Sequence, residues 1–354
     1  MKNAKIVYQS LDRLYDRSKR EPLDNDSRWV IFSDLHMGDG SSSDDFLPNA
    51  QLFHTAARNY YLKNDFSLIL NGDIEELQRY TWTKIYRQWK KTFELFEDFA
   101  NKTQLVKTIG NHDLKLGVTE PLPYDYFLTE GFRLGYGEND LFVFHGHQAS
   151  KKYQQRNEWV GFTLKYFANP LGIKNYSVSH SSTKQFKIEK RVYRYSTHNK
   201  RISIIGHTHR PLFESQHKGD RLKHMIEELC RKLSQNETEN IAEIITSIKS
   251  YKKELQAHYR KDGQNSFKSY VYDAVFNIPC VFNSGSVIGK RGMTCLEIEK
   301  GEIRLVHWFN KHISPKYLQR TGYEPRQLDK TEFYRMVINQ ETLDYIFARI
   351  NYLT

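Results

Sequence analysis

The chain has 354 residues, 39% of them hydrophobic, with a mean hydropathy of −0.71 and a net charge of +11. No run of about 18 apolar residues offers a membrane span. The charged start MKNAKIVYQSLDRLYDRSKR is not a secretory signal, and three scattered cysteines (Cys230, Cys280, Cys295) make neither a disulfide framework nor a thiolate metal site. A globular protein of a reducing cytoplasm is the expectation. The position of the charge matters more than its size. Between Ser150 and Arg201, twelve Lys and Arg stand against two acids, Glu158 and Glu189, so almost all of the excess sits in this one segment.

In chain order, Ile6, Leu11, Leu14 and Tyr15 predict a helix over residues 5–18. RWVIFS (28–33) reads as a buried strand that ends at the loop DLHMGDGSSSDD. A helix over 49–63, the strand FSLILN (66–71), a tryptophan- and tyrosine-rich helix over 75–100 and the strand QLVKTIG (104–110) follow. After a proline-containing stretch comes the strand LFVFHGH (141–147), then the basic segment with helices expected at 155–168 and near 182–195. RISIIGHTH returns to the sheet. Residues 220–262 read as a charged helical hairpin, three short strands follow from IPCVFNSGSVIG to EIRLVHWF, and the last 25 residues read as helical. Strands alternating with helices predict an α/β fold. One domain over 1–354 is expected, with a basic, aromatic, lid-like insertion at 150–201 and a hairpin insertion at 215–268.

GHTHRP (206–211) sets two histidines one residue apart directly after a β-branched run. Alternate strand residues face opposite sides, so the pair shares a face only in an extended or turning segment that leaves the strand. Four other strand ends finish in the same way. FSDLH offers Asp34 and His36, LNGD offers Asp73, IGNHD offers Asn111, His112 and Asp113, and VFHGH offers His145 and His147; IIGHTH adds His207 and His209. In an open α/β sheet a ligand binds beyond the carboxyl ends of the strands, so all five clusters converge on one edge. Any one of them alone is an ordinary turn or a surface histidine; five in succession are not.

Histidine and carboxylate without thiolate suit Mn, Fe, Zn or similar ions. There are more ligands than one ion needs, and a bridging carboxylate would let them serve two. Two ions about 3.5–4 Å apart would lower the pKa of a shared water and clamp a phosphoryl oxygen, which is the machinery for in-line hydrolysis of a phosphate ester.

The order DLH, GD, GNHD, HGH, GHTH over residues 34–209 resembles the calcineurin-like metallophosphoesterase family. NSGS (283–286) is similar to the family's loop after the last histidine pair, with Ser284 where proline is common. The resemblance implies a two-sheet α/β sandwich flanked by helices, and two-metal hydrolysis of a phosphate ester or pyrophosphate by metal-bound hydroxide. Carried over by position, Asp34, His36 and His209 would hold the first metal; Asp73 would bridge; Asn111, His145 and His207 would hold the second. His112 would contact the phosphate and protonate the leaving group. Glu76 would orient His112, and Asn111 would also donate to the phosphoryl oxygen. His147 would lie beside the ligands, and Asp113 would bond nearby backbone amides.

GHTHRP and the long basic insertion are similar to the branch of this family that contains UDP-diacylglucosamine pyrophosphohydrolase, where the insertion forms a helical lid that receives acyl chains. This chain has His112 where that branch has arginine, and its hairpin at 220–262 has no counterpart there. Trp159, Phe162 and Tyr166, with Val160, Leu164 and Phe167, would make an acyl-binding or inner-membrane-surface face, or would pack the insertion onto the core. A second reading keeps the chemistry and changes the substrate. The insertion's cations, interleaved with Tyr153, Trp159, Tyr166, Phe167, Tyr176, Tyr193 and Tyr195, would track and stack a nucleic acid, making the protein a nuclease. A third reading is a non-catalytic scaffold, against which all seven ligand positions are filled. Under either catalytic reading Arg210, Lys151, Lys152 and Arg156 are the candidate cations for an anionic, phosphate-containing substrate.

Overall fold

The computed structural model describes residues 2–116, 127–150, 182–216, 218–234, 241–262, 277–320 and 322–354. Helix α1 (Lys2–Arg17) buries Val7, Leu11 and Leu14 along one face. Ile6, expected on that face, is 39% exposed. Strands β1 (Lys19–Pro22), β2 (Arg28–Phe32), β3 (Ser67–Asn71) and β4 (Leu105–Thr108) alternate with helices α2 (Ala50–Ala56), α3 (Trp82–Gln88) and α4 (Lys90–Lys102). The helix expected over 49–63 is continuous, with its last residues, Ala57–Leu62, widened to π geometry. The helix expected over 75–100 starts only at Trp82. Residues 74–81 instead form an irregular loop tied to the β2 loop by backbone bonds, Met37 N–H to Ile74 O at 2.8 Å and Glu76 N–H to Met37 O at 3.0 Å.

The next strands are β5 (Phe127–Thr129), β6 (Gly131–Tyr136), β7 (Asn139–Phe144) and β8 (Ile202–Ile205), with α5 (Ser182–Asn199) before β8. Helices α6 (Lys218–Ser234) and α7 (Ile241–Asp262) form the expected hairpin. The chain closes with β9 (Val281–Asn283), β10 (Met293–Glu299), β11 (Glu302–Asn310), β12 (Arg326–Gln327), β13 (Phe333–Thr342) and α8 (Leu343–Leu353). The last 25 residues are therefore not all helical. FYRMVINQET pairs antiparallel along β11, and Thr342 then caps α8 by accepting the Tyr345 N–H.

Two sheets result, ordered β1-β6-β7-β8-β9 and β12-β13-β11-β10-β2-β3-β4-β5. Strand β2 explains the layering. Trp29 and Ile31 enter the core shared with α1 and the five-stranded sheet, while Val30 and Phe32 enter a second core. Ile69 opposes Leu68 and Leu70 in the same way, and Val106 opposes Leu105. The second core is filled by α2, α3 and α4 through Phe53, Ile85, Phe93, Phe96 and Phe99. A sheet covered on both faces requires apolar residues at every position, which is why these strands read as unbroken hydrophobic runs. Mixed α/β architecture with two sheets flanked by helices is thus observed.

Strands β2, β3 and β4 are parallel to one another, as are β7, β8 and β9. Their carboxyl ends meet. The Asn71 amide donates to Phe144 O at 3.2 Å, and the Gly206 N–H donates to His145 O at 2.9 Å. Of the basic insertion, α5 forms where a helix was expected. The helix expected at 155–168, its aromatic face, and Lys151, Lys152 and Arg156 lie outside the described residues.

Candidate active site

All five sequence clusters arrive at this one edge, and the backbone that carries them is unusual. Asp34 (φ 56°), His36 (49°), Asp73 (53°), His207 (63°) and His209 (55°) all lie in the left-handed region. A non-glycine residue there costs on the order of 1–3 kcal/mol and persists only when its surroundings over-determine it. Here they do. The Asp34 N–H donates to Gly72 O at 3.1 Å and the His36 N–H to Asp73 O at 3.0 Å, lacing the β2 and β3 loops together. Two glycines permit the close approach: a Cβ at Gly110 would lie 2.1 Å from Asp73 Oδ1, and one at Gly206 would lie 2.7 Å from Asp34 Oδ2.

Each aspartate splits its two oxygens. Asp34 Oδ2 accepts the His207 N–H at 3.0 Å, and Asp73 Oδ1 accepts the His112 N–H at 2.7 Å. The other oxygens face imidazoles. Asp34 Oδ1 lies 3.0 Å from His209 Nε2, 3.8 Å from His36 Nε2 and 4.0 Å from His145 Nε2. Asp73 Oδ2 lies 3.0 Å from His145 Nε2 and 3.9 Å from His36 Nε2, so it stands between the two groups. His145 is aimed by Asn71 O, 2.8 Å from its Nδ1. Asp34–His36–His209 and Asp73–His145–His207 each bring one potential ligand atom per residue within 4.8 Å of the others.

Asp34 Oδ1, Asn111 Oδ1 and His145 Nε2 are buried without a hydrogen bond. Buried polar atoms are normally paired, so these orphans need a reason, and bound cations would supply one. The donor set, with nitrogen and oxygen and no sulfur, fits divalent Mn, Fe or Zn. Electrostatics agree. Burial alone would raise both aspartates, yet His209 and His145 beside Asp34, and His145 and His112 beside Asp73, hold their carboxyls well below the usual range. Burial works against a charged His145, but Asp73 and Asp34 lift it to about 9, whereas burial pushes His207 down to about 3.

Glu76 does more than the sequence suggested. Its carboxylate takes His112 Nδ1 at 2.8 Å and also His36 Nδ1 at 3.0 Å. Burial opposes its ionisation, but the hydrogen bonds from His112 and His36 hold it at about 2. Asp113 takes the expected structural part, accepting the N–H groups of Gly110 and Ile74. His147 is buried against the His145 and His207 rings, at centroid distances of 5.5 and 6.3 Å, and burial holds its pKa well below the ordinary value. Arg210 is engaged by Glu189, Nη2 to Oε2 at 2.6 Å.

Sequence reading missed several supports. Gln78 Nε2 donates to Asn111 O at 2.8 Å. Asn283 Nδ2 donates to Gly206 O and to Thr208 Oγ1, both at 2.9 Å. Lys107 and Glu75 form a fully buried ion pair beneath the site. The polar run NSGS after an apolar strand, and a lysine inside QLVKTIG, are the signals that could have drawn attention to Asn283 and to the buried pair; their partners were not readable.

A divalent-metal hydrolase of phosphate esters is the class to which this fold and these ligand sets correspond. Residues 27–224, more than half of the chain, match the model of the calcineurin-like phosphoesterase family, and the chain belongs to that family. Members usually bind divalent metals. No curated protein matches the chain. Among solved structures, a conserved uncharacterized protein described as a predicted phosphoesterase, from Streptococcus pneumoniae TIGR4, is 12% identical, with 81% of this chain and 91% of that one covered at a TM-score of 0.30. Vacuolar Protein Sorting 29 from Cryptosporidium parvum is 10% identical, with 81% and 92% covered at a TM-score of 0.34. Neither likeness says what this chain acts on.

Proposed function

We propose that this protein hydrolyses a phosphate ester or pyrophosphate bond of an anionic substrate with two divalent cations. The observation that carries the reading is the pair of candidate ligand sets, Asp34–His36–His209 and Asp73–His145–His207, with Asp73 Oδ2 at 3.0 Å from His145 Nε2 and 3.9 Å from His36 Nε2. Asn111, with its buried Oδ1, joins the second set. Cations held there supply a polarised water as nucleophile and a clamp on the phosphoryl oxygens. The protein's own groups do the rest. Glu76 accepts from His112 Nδ1–H, so that in the doubly protonated form of the ring Nε2–H would deliver a proton to the departing oxygen. Asn111 would hold a cation through Oδ1, which would leave its Nδ2–H for the phosphoryl oxygen as charge develops.

For the substrate, GHTHRP and the basic insertion favour a nucleotide-linked lipid, met at a membrane surface. One feature favours a longer polyanion, such as a single-stranded nucleic acid. Lys290 and Arg291 are exposed on a turn whose Val287 N–H donates to Asp34 O at 3.3 Å, and neither pairs with a carboxylate among the described residues. The turn is braced by the Asn49 amide, which donates to Val287 O at 2.6 Å and Gly289 O at 2.9 Å.

The test is hydrolysis after metal stripping and Mn, Fe or Zn add-back, with a phosphomonoester, a phosphodiester, a UDP-linked pyrophosphate lipid and a single-stranded oligonucleotide. Metal-restored cleavage of the lipid alone selects the first reading. Cleavage of the oligonucleotide, with a KM at least tenfold higher in Lys290→Glu/Arg291→Glu, selects the second. Cations bound with no cleavage of any of the four would contradict both.

A further inference from the structure

Helix α5 forms the C-terminal part of the basic insertion and packs on β8 and β9. Two of its residues, one turn apart, share a face and reach the turn that carries the last histidine pair. Gln185 Nε2 donates to Thr208 O at 2.8 Å. Thr208 Oγ1 donates to Glu189 Oε1 at 3.0 Å, and Arg210 Nη2 donates to Glu189 Oε2 at 2.6 Å. Glu189 has no exposed surface. From the opposite side Asn283, at the end of β9, donates to Gly206 O and Thr208 Oγ1. Thr208 is thus gripped from two elements, and on either side of it stand His207 and His209, both in left-handed backbone.

The turn needs such a grip. His207 belongs with Asp73 and His145, and His209 with Asp34 and His36, so two side chains separated by one residue must reach different ligand sets. A left-handed pair of non-glycine residues does not hold that arrangement unaided. A buried carboxylate, in turn, is tolerated only when it is paired and hydrogen-bonded, and both of its oxygens here are committed to the turn.

We propose that Glu189 is a positioning residue that sets the spread of His207 and His209 between the two cation sites, joining the helix at the end of the insertion to the metal centre through one carboxylate. This assigns Arg210 to the latch. The proposal rests on the two-cation reading above.

The experiment uses the full-length protein and Mn²⁺ alone, titrated calorimetrically into stripped wild type, Glu189→Ala and Glu189→Gln, with far-UV circular dichroism and thermal melts alongside. Glu189→Ala is expected to lose at least tenfold in Mn²⁺ affinity. Glu189→Gln, which keeps an acceptor for Thr208, is expected to recover part of that loss. Affinities within twofold of wild type in a folded Glu189→Ala, with only a lowered melting temperature, would overturn the proposal and leave Glu189 a packing residue. Should Glu189→Ala fail to fold, Gln185→Ala removes one neutral bond to the same turn and is expected to lose two- to fivefold; an unchanged affinity there overturns the proposal equally. Failure of wild type to bind Mn²⁺ would instead sink the two-cation reading itself.

Discussion

Each of the two buried aspartates uses its oxygens for different ends, and that division decides what a substitution there does. Asp73→Asn keeps an oxygen able to accept the His112 N–H while weakening the inward donor that faces His145 and His36. The variant is expected to stay folded by circular dichroism and to lose activity by at least about a hundredfold, roughly the loss of 2.7 kcal/mol of transition-state stabilisation. Full activity would refute the bridging role. His112→Ala is expected to lower kcat at least tenfold with metal content unchanged; loss of the metals would make His112 a ligand instead. The candidate ligand types were readable because few side chains bind such ions and they recur at strand ends. The second contact of Glu76, to His36, was not readable: it joins residues 40 positions apart through a loop that sequence periodicity mistook for helix.

Among the elements, the strands were read best, because burial on both faces leaves an apolar run that periodicity cannot miss. The terminal strand β13 was missed for the converse reason. FYRMVINQET is only partly buried, and its polar residues suit a helix as well as a strand. Strand β6 carries two glycines and gave no signal. Lys107 in β4 is the informative exception. Its ammonium is fully buried against Glu75, on the loop just after Asp73. Removing one partner of a buried pair strands the other charge, at a cost of about 3–5 kcal/mol. Lys107→Met is therefore expected to destabilise by about that much in urea unfolding, and Lys107→Met/Glu75→Gln by clearly less. Equal losses in the single and double variants would show that the two charges do not act as a pair.

Taken whole, the molecule separates its chemistry from its anchoring. The α6–α7 hairpin is fixed at its base, where Arg221 donates to Ile338 O at 2.9 Å and Glu254 pairs with Arg320 and Lys218. Farther along, Ile241 and Ile245 are exposed. Among the described residues no helix is long and apolar enough to cross a membrane. Away from the ligands, Glu214 links the chain beyond GHTHRP to α8, with its Oε1 3.7 Å from Arg349 Nη1. Burial first, with Glu341 adding and Arg349 opposing, pushes its carboxyl up to about 7. The folded protein thus holds this proton more tightly than the unfolded chain, whose glutamates titrate near about 4.3. The stabilising contribution is complete below that pH and is lost as pH rises through 7. Wild type is expected to lose up to about 3 kcal/mol relative to Glu214→Gln between pH 4.5 and 8. A difference between the two that does not change with pH would contradict this.

The most informative single measurement is the number of divalent ions bound per chain after stripping and reloading, read alongside hydrolysis of a phosphodiester. Two ions per chain, with hydrolysis rising only as both sites fill and abolished in Asp73→Asn, is the expected result. Hydrolysis that persists in the stripped protein, or a chain that takes up no divalent ion, would contradict the account.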